Sequence, residues 1–145
     1  MIVADTGAVV ALIDADDRHH DAMVRLFEDD PAAWVLPWAI LPEVDYLVGR
    51  HLGAHVAEAF LNDIVEGAFT VEWGHERDLR RSQELRAQYA SLELGLVDSI
   101  VAAVAERLHA TAVATLDLRD FGALKLVGAP RLYPRDLAKG RTTRP

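Results

Sequence analysis

The chain is 145 residues long with a net charge of −8, which argues against a protein that grips nucleic acid by bulk positive charge. Its 51% hydrophobic and 26% charged residues are ordinary for a soluble globular domain with its own core, and the lack of cysteine excludes disulfides and thiolate metal sites. No apolar run approaches the length of a membrane span, and the first residues lack the basic segment and cleavage site of a secretory signal, so a cytoplasmic protein is expected.

In chain order, residues 2–5 predict a strand that enters a helix at Thr6, a residue type favoured at helix N-caps. A helix is expected over 21–28, with Met23, Leu26 and Phe27 on one face, and a short buried strand over 34–36 after the turn at Asp30-Pro31. Residues 42–52 fit a helix through Val44, Leu47 and Val48, ended by Gly53. The clearest periodicity lies over 54–66, where Val56, Phe60, Leu61, Ile64 and Val65 repeat at helical spacing before Gly67. Residues 69–73 alternate like a strand. The helix expected over 76–89 is charged and poor in apolar positions, so it is placed outside. Residues 97–108 put Val97, Ile100, Val101, Val104 and Leu108 in one core-facing stripe. Strands are expected over 112–116 and near 132–133. Helices alternating with strands point to α/β architecture, a three-layer α/β/α sandwich with a mostly parallel sheet. One domain over 1–138 is expected, followed by a basic tail over 139–145.

Four acids stand where apolar segments end or helices begin: Asp5, Glu43, Asp98 and Asp117. Parallel strands bring their carboxyl ends to one edge, where open α/β folds place ligands. Four carboxylates there repel one another unless a cation lies among them, and hard divalent ions with oxygen ligands suit that role. Charge along the chain is uneven: residues 1–63 hold 12 acids and 3 bases, residues 64–145 hold 11 acids and 12 bases. The bases gather in Arg77, Arg80, Arg81 and Arg86 and in the tail segment Arg131, Arg135, Lys139, Arg141 and Arg144, a basic flank on an acidic chain. The helical arginines read first as a solvated face and second as contacts for RNA phosphates.

Other polar clusters lack the spacing their chemistry needs. The run Asp14, Asp16, Asp17, His19, His20 and Asp21 fails as a calcium loop, since its sixth position is His19 and its twelfth is Arg25. His75-Glu76 opens like a zinc-protease motif, but Leu79 stands where the second histidine belongs. Neither a G-x-S-x-G nor a P-loop spacing occurs.

Four motifs together carry a family resemblance: Asp5-Thr6; Pro42-Glu43-Val44-Asp45-Tyr46-Leu47; Gly95-Leu96-Val97-Asp98-Ser99-Ile100-Val101-Ala102; and Thr115-Leu116-Asp117-Leu118-Arg119-Asp120-Phe121. In this order and spacing the chain resembles a PIN domain from Val3 to about Tyr133, and within that group the VapC-type toxins of type II toxin–antitoxin pairs. Family members often carry Ser two residues after the first Asp, where this chain has Gly7. The resemblance implies an endoribonuclease dependent on Mg²⁺ or Mn²⁺. By position, Asp5 and Asp98 are the central metal ligands, and Asp117 completes the coordination directly or through water. Glu43 holds a second ion or orients the attacking water. Thr6 and Thr115 hydrogen-bond the acids beside them. Asp120 is the alternative occupant of the Asp117 role, and Asp45, on a different helix face from Glu43, is read as structural.

The resemblance also implies a homodimer and a small antitoxin that blocks the acidic pocket with an Arg or Lys. The apolar stretch 35–52, with Trp34, Trp38 and Tyr46, offers a groove for an amphipathic helix of that partner. Competing readings are a PIN-fold nuclease that is no toxin and cuts RNA or DNA, a partner-binding PIN fold without catalysis, and a phospho-accepting receiver-like module. The non-catalytic variant typically lacks pocket acids, and none is missing here. The receiver needs an acid pair near the first strand and an acceptor Asp after a middle strand, which Asp5-Thr6-Gly7 and Leu36-Pro37 do not supply.

Overall fold

The computed structural model describes residues 1–137, so the expected tail over 139–145 and the domain boundary before it lie outside the described residues. Five short strands, β1 Ile2–Ala4, β2 Trp34–Pro37, β3 Thr70–Glu72, β4 Ala112–Ala114 and β5 Arg131–Tyr133, form one sheet in the order β3-β2-β1-β4-β5. Every pairing is parallel, and Ile2 faces Trp34 on one side and Ala112 on the other. A central β1 must be apolar on both faces, and all three of its residues are buried.

Among the described residues seven α-helices connect the strands: α1 Thr6–Ile13, α2 His20–Asp29, α3 Leu41–Leu52, α4 Ala54–Val65, α5 Glu76–Gln88, α6 Leu96–Arg107 and α7 Leu118–Ala123. The crossovers β1→β2→β3 run one way across the sheet and β3→β4→β5 run the other. Right-handed connections therefore place α1–α4 on one face and α5–α7 on the opposite face, the expected three layers. On the first face α1 packs against α2 and α3, and α3 against α4; on the second, α5 packs on α6, which lies over β1 and β2. No helix among the described residues is long and apolar enough to cross a membrane.

The core is aliphatic around α6 and aromatic near β2. Ala102, Ala103 and Ala105 of α6 are buried along with Val101 and Val104, so the burial is wider than the stripe read from sequence. Small side chains there and in β4 let helix and sheet approach closely. Trp34 is fully buried, edge-on to Phe27 with ring centroids 5.5 Å apart.

The structure corrects three expectations. Asp5, not Thr6, is the N-cap of α1, because its carboxylate accepts from the Thr6 amide while Thr6 is already helical. Helix α5 is not simply an outer helix: Asp78, Ser82 and Leu85 are buried and dock it on α6 through polar groups. Asp78 pairs with Arg107 at 2.7 Å, Ser82 and Ser99 share a hydroxyl hydrogen bond, and Arg81 grips Glu106 at 2.6 Å. Last, β4 ends at Ala114, with the Thr115 amide still donating to Tyr133 O, and α7 follows, a helix too short for periodicity to reveal.

Candidate active site

The crossovers diverge between β1 and β4, the switch point where an open α/β sheet leaves a crevice at its carboxyl edge. Asp5 follows β1 directly and its amide donates to Ala114 O at 2.9 Å, extending the β1–β4 ladder by one residue. Its side chain is 4% exposed. Oδ1 accepts from the Thr6 amide at 2.8 Å and Oδ2 from the Thr115 hydroxyl at 3.0 Å, so both oxygens are fixed. The same Thr115 Oγ1 accepts from the Asp117 amide at 3.0 Å, which joins the two strand ends through one hydroxyl. Asp117 caps α7, its Oδ1 accepting from the Asp120 amide at 3.0 Å.

Asp98 enters from the first turn of α6. One carboxylate oxygen from each of Asp98, Asp117 and Asp120 lies within 4.8 Å of the other two. Asp5 is not part of that tightest group, yet its charge, with those of Asp117, Asp120 and Glu43, bears on Asp98. Burial and then this repulsion push the Asp98 carboxyl up to about 7. Asp5 is raised to about 6, mainly by burial, against the two hydrogen bonds that favour its charged form. Asp120 is raised as well, by burial and by Asp117. Glu43, in the first turn of α3, is exposed at the rim, where its charge adds to the repulsion on Asp5 and Asp98.

Asp120 thus joins Asp117 in the cluster, and its Oδ1 is buried with no hydrogen-bond partner. Three converging carboxylates with an unpaired oxygen among them fit a hard divalent cation, which takes oxygen ligands and cancels the repulsion. The Asp-x-x-Asp spacing over the start of α7 was the sequence signal for this pairing. Thr6 holds Asp5 by its amide, while its buried hydroxyl has no partner. A Cβ at Gly7 would meet only Leu116, at an ordinary 3.9 Å. Asp45 is exposed.

The other clusters serve local structure. Asp14 and Asp17 accept from the amides of Asp16 and His19, and His20 Nδ1 is 2.8 Å from Ala11 O. His75 caps α5 in a reciprocal box with Asp78. Trp34, expected in a partner groove, belongs to the core. The exposed aromatics are Tyr46, Trp38 (49% exposed) and Trp73 (66% exposed). Trp38 and Trp73 have ring centroids 4.8 Å apart and, with Leu41, Leu61, Ile64 and Val65, line an apolar groove of about 590 Å³.

Among known proteins, the PIN domain family matches residues 2–125. Ribonuclease VapC26 of Mycobacterium tuberculosis is 26% identical over 130 residues, spanning 90% of this chain and 96% of that protein. The fold is similar to that of M. tuberculosis VapC20, a sarcin-ricin-loop-cleaving toxin, with a TM-score of 0.78 at 23% identity over 88% of this chain and 98% of that one. It is also similar to DNA-bound VapBC from Salmonella typhimurium, with a TM-score of 0.69 at 18% identity over 90% and 95%.

Proposed function

This chain belongs to the PIN-domain family, and on that premise we propose that it is a divalent-metal-dependent endoribonuclease acting as the toxin of a toxin–antitoxin pair. The observation that carries the chemistry is the convergence of Asp98, Asp117 and Asp120 beside Asp5 at the sheet's switch point. The ribonuclease name of the VapC26 relative supports RNA as substrate.

Asp98, Asp117 and Asp120 would hold the ion, Mg²⁺ or Mn²⁺, with Asp5 facing the same crevice. When bound, such ions activate water for attack on a phosphodiester and neutralise the leaving oxygen. The chain's own groups do the positioning. Thr115 locks Asp5 and the start of α7 in one frame, which fixes the placement of Asp5 relative to Asp117. Glu43 at the rim would hold a second ion or orient the attacking water.

The partner reading rests on the exposed Trp38–Trp73 groove, an apolar surface suited to an amphipathic antitoxin segment. An Arg or Lys from that segment would enter the acidic crevice in place of a metal. The toxin–antitoxin complexes among similar folds support such a partner. The active unit is a homodimer in the cytoplasm, its nuclease domain spanning 1–138. The test is cleavage of RNA by purified protein with Mg²⁺ or Mn²⁺. Cleavage is expected to stop with EDTA and return with added metal, and undiminished cutting in excess chelator sinks the proposal.

A further inference from the structure

Beyond the acidic crevice, the described residues carry a second polar hollow, of about 480 Å³, between α5 and the start of α6. Its walls include Arg80, Gln83 and Arg86, spaced i, i+3, i+6 along one face of α5. At about 1.5 Å rise per residue these three side chains form a line roughly 9 Å long. Leu96 closes the hollow; it is exposed and stands two residues before Asp98 on α6. The end of α5 is tied to the segment after α7, since Tyr89 Oη accepts from the Lys125 amide at 3.0 Å. Leu96 and Asp98 share the first turn of α6 but stand about 200° apart around it, so the hollow and the acidic crevice flank that helix start from opposite sides.

The arginines of α5 divide into committed and available ones. Arg81 is committed to Glu106 and Glu84. Arg80 has only a loose, solvent-exposed pair with Glu76 at 3.4 Å, an interaction worth little in water. Arg86 makes no hydrogen bond or ion pair among the described residues. Two weakly engaged guanidiniums and an amide in a row, across the start of α6 from a pocket that repels anions, match a chain of phosphates that must be held while one of them enters the acids.

Resting on the ribonuclease reading, we propose that the substrate strand leaves the acidic crevice over Leu96 and is held by its phosphates along Arg80, Gln83 and Arg86. The line binds backbone and not base, so it sets strand direction and affinity without choosing sequence. It also explains how a chain of net −8 holds a polyanion: by a short local track.

The test uses the full chain in two backgrounds. In the cleavage-silent Asp98→Asn chain, binding of a fluorescein-labelled oligouridylate is followed by anisotropy across a salt series. Adding R80A and R86A together is expected to raise Kd about tenfold and flatten the log–log salt slope by about 1.4, two single-strand phosphate contacts at roughly 0.7 each. In the otherwise wild-type chain the same pair should raise KM about tenfold and leave kcat within about twofold. Arg25→Ala on α2 is the control and should change neither quantity. An unchanged Kd and salt slope for the R80A/R86A pair, with metal-dependent cleavage intact, overturns the track. So does a pair that loosens only a protein partner. If the wild-type chain cuts no RNA yet the pair still weakens oligouridylate binding, the track stands and the ribonuclease reading falls.

Discussion

Thr115 is the residue on which the site's geometry turns. Its hydroxyl donates to Asp5 and accepts from the Asp117 amide, in a position with no exposure to solvent. Thr115→Val keeps the shape and removes both bonds. The expected result is a fall in kcat of roughly 10–100-fold, as for other groups that orient metal-binding side chains. Thr115→Ser should recover most of it, and a kcat for Val equal to wild type would show that Asp5 needs no such support. Protonation supplies a second prediction. Asp5 at about 6 and Asp98 at about 7 lie above the ordinary value of 3.8, so the folded chain holds more protons than the unfolded one between those limits. Metal-free stability contributed by these groups is full below about pH 4 and is lost as pH rises through 6 and 7. Asp5→Asn should remove the Asp5 share of that dependence, leave the Asp98 share, and stabilise the metal-free protein at pH 8 by on the order of 2 kcal/mol, while abolishing cleavage. A melting temperature that rises from pH 5 to 8 without metal, or an Asn variant that still cuts, contradicts this. The acids themselves were legible, because Asp5 and Asp117 close apolar segments and Asp98 and Glu43 open helices. The hydroxyl roles were less so: sequence placed Thr6 and Thr115 alike, yet only Thr115 points its oxygen at Asp5.

Between elements, the α5–α6 contact is held by charge in a way hydrophobic patterning cannot register. Burial alone would raise the Asp78 carboxyl, but hydrogen bonds from Arg107 and the His75 amide and the Arg107 charge outweigh it and hold it below 3.8. Arg107 also reaches Glu72, the last residue of β3, at 2.7 Å, so one guanidinium ties α6 to α5 and to the sheet edge. Asp78→Ala leaves Arg107, nearly buried, with Glu72 as its remaining carboxylate partner, and should cost about 1–3 kcal/mol by chemical denaturation. Asp78→Leu with Arg107→Met should recover much of that loss, since well-packed apolar groups often replace a buried pair without penalty. A loss below about 1 kcal/mol for Asp78→Ala would mean the pair only decorates the surface. This docking explains the error over α5: its few apolar residues read as an outer helix, while Asp78 and Ser82 did the inward packing. The long periodic helices were legible, and α7 was not, because six residues give fewer than two turns of pattern.

For the whole molecule, the proposed function divides the work among surfaces: the acidic edge for chemistry, the α5 hollow for the strand and the Trp38–Trp73 groove for a partner. Expression of the chain alone should arrest bacterial growth, and co-expression with the neighbouring small reading frame should relieve it. Trp73→Glu should weaken that relief, because a charge in the groove opposes an apolar helix face, while cleavage by purified protein persists. Continued growth with abundant wild-type chain and no partner would remove the toxin reading and leave the nuclease. The parallel topology was legible from alternation alone, and it is what put the acids on one edge. The groove was only half legible, since β2 buries Trp34 and the turn after it exposes Trp38.

The bond from Thr115 to Asp5 spans 110 residues, and β1 pairs with β4 across nearly the same distance. Asp5 leaves the ribosome early, but its anchor and three of its fellow acids are translated in the last third of the chain. At roughly 5–20 residues per second, synthesis of that interval takes on the order of ten seconds, during which the nascent polypeptide carries half a site. A nuclease that would cut cellular RNA is therefore harmless to the messenger and ribosome that are making it, until its last strands have emerged.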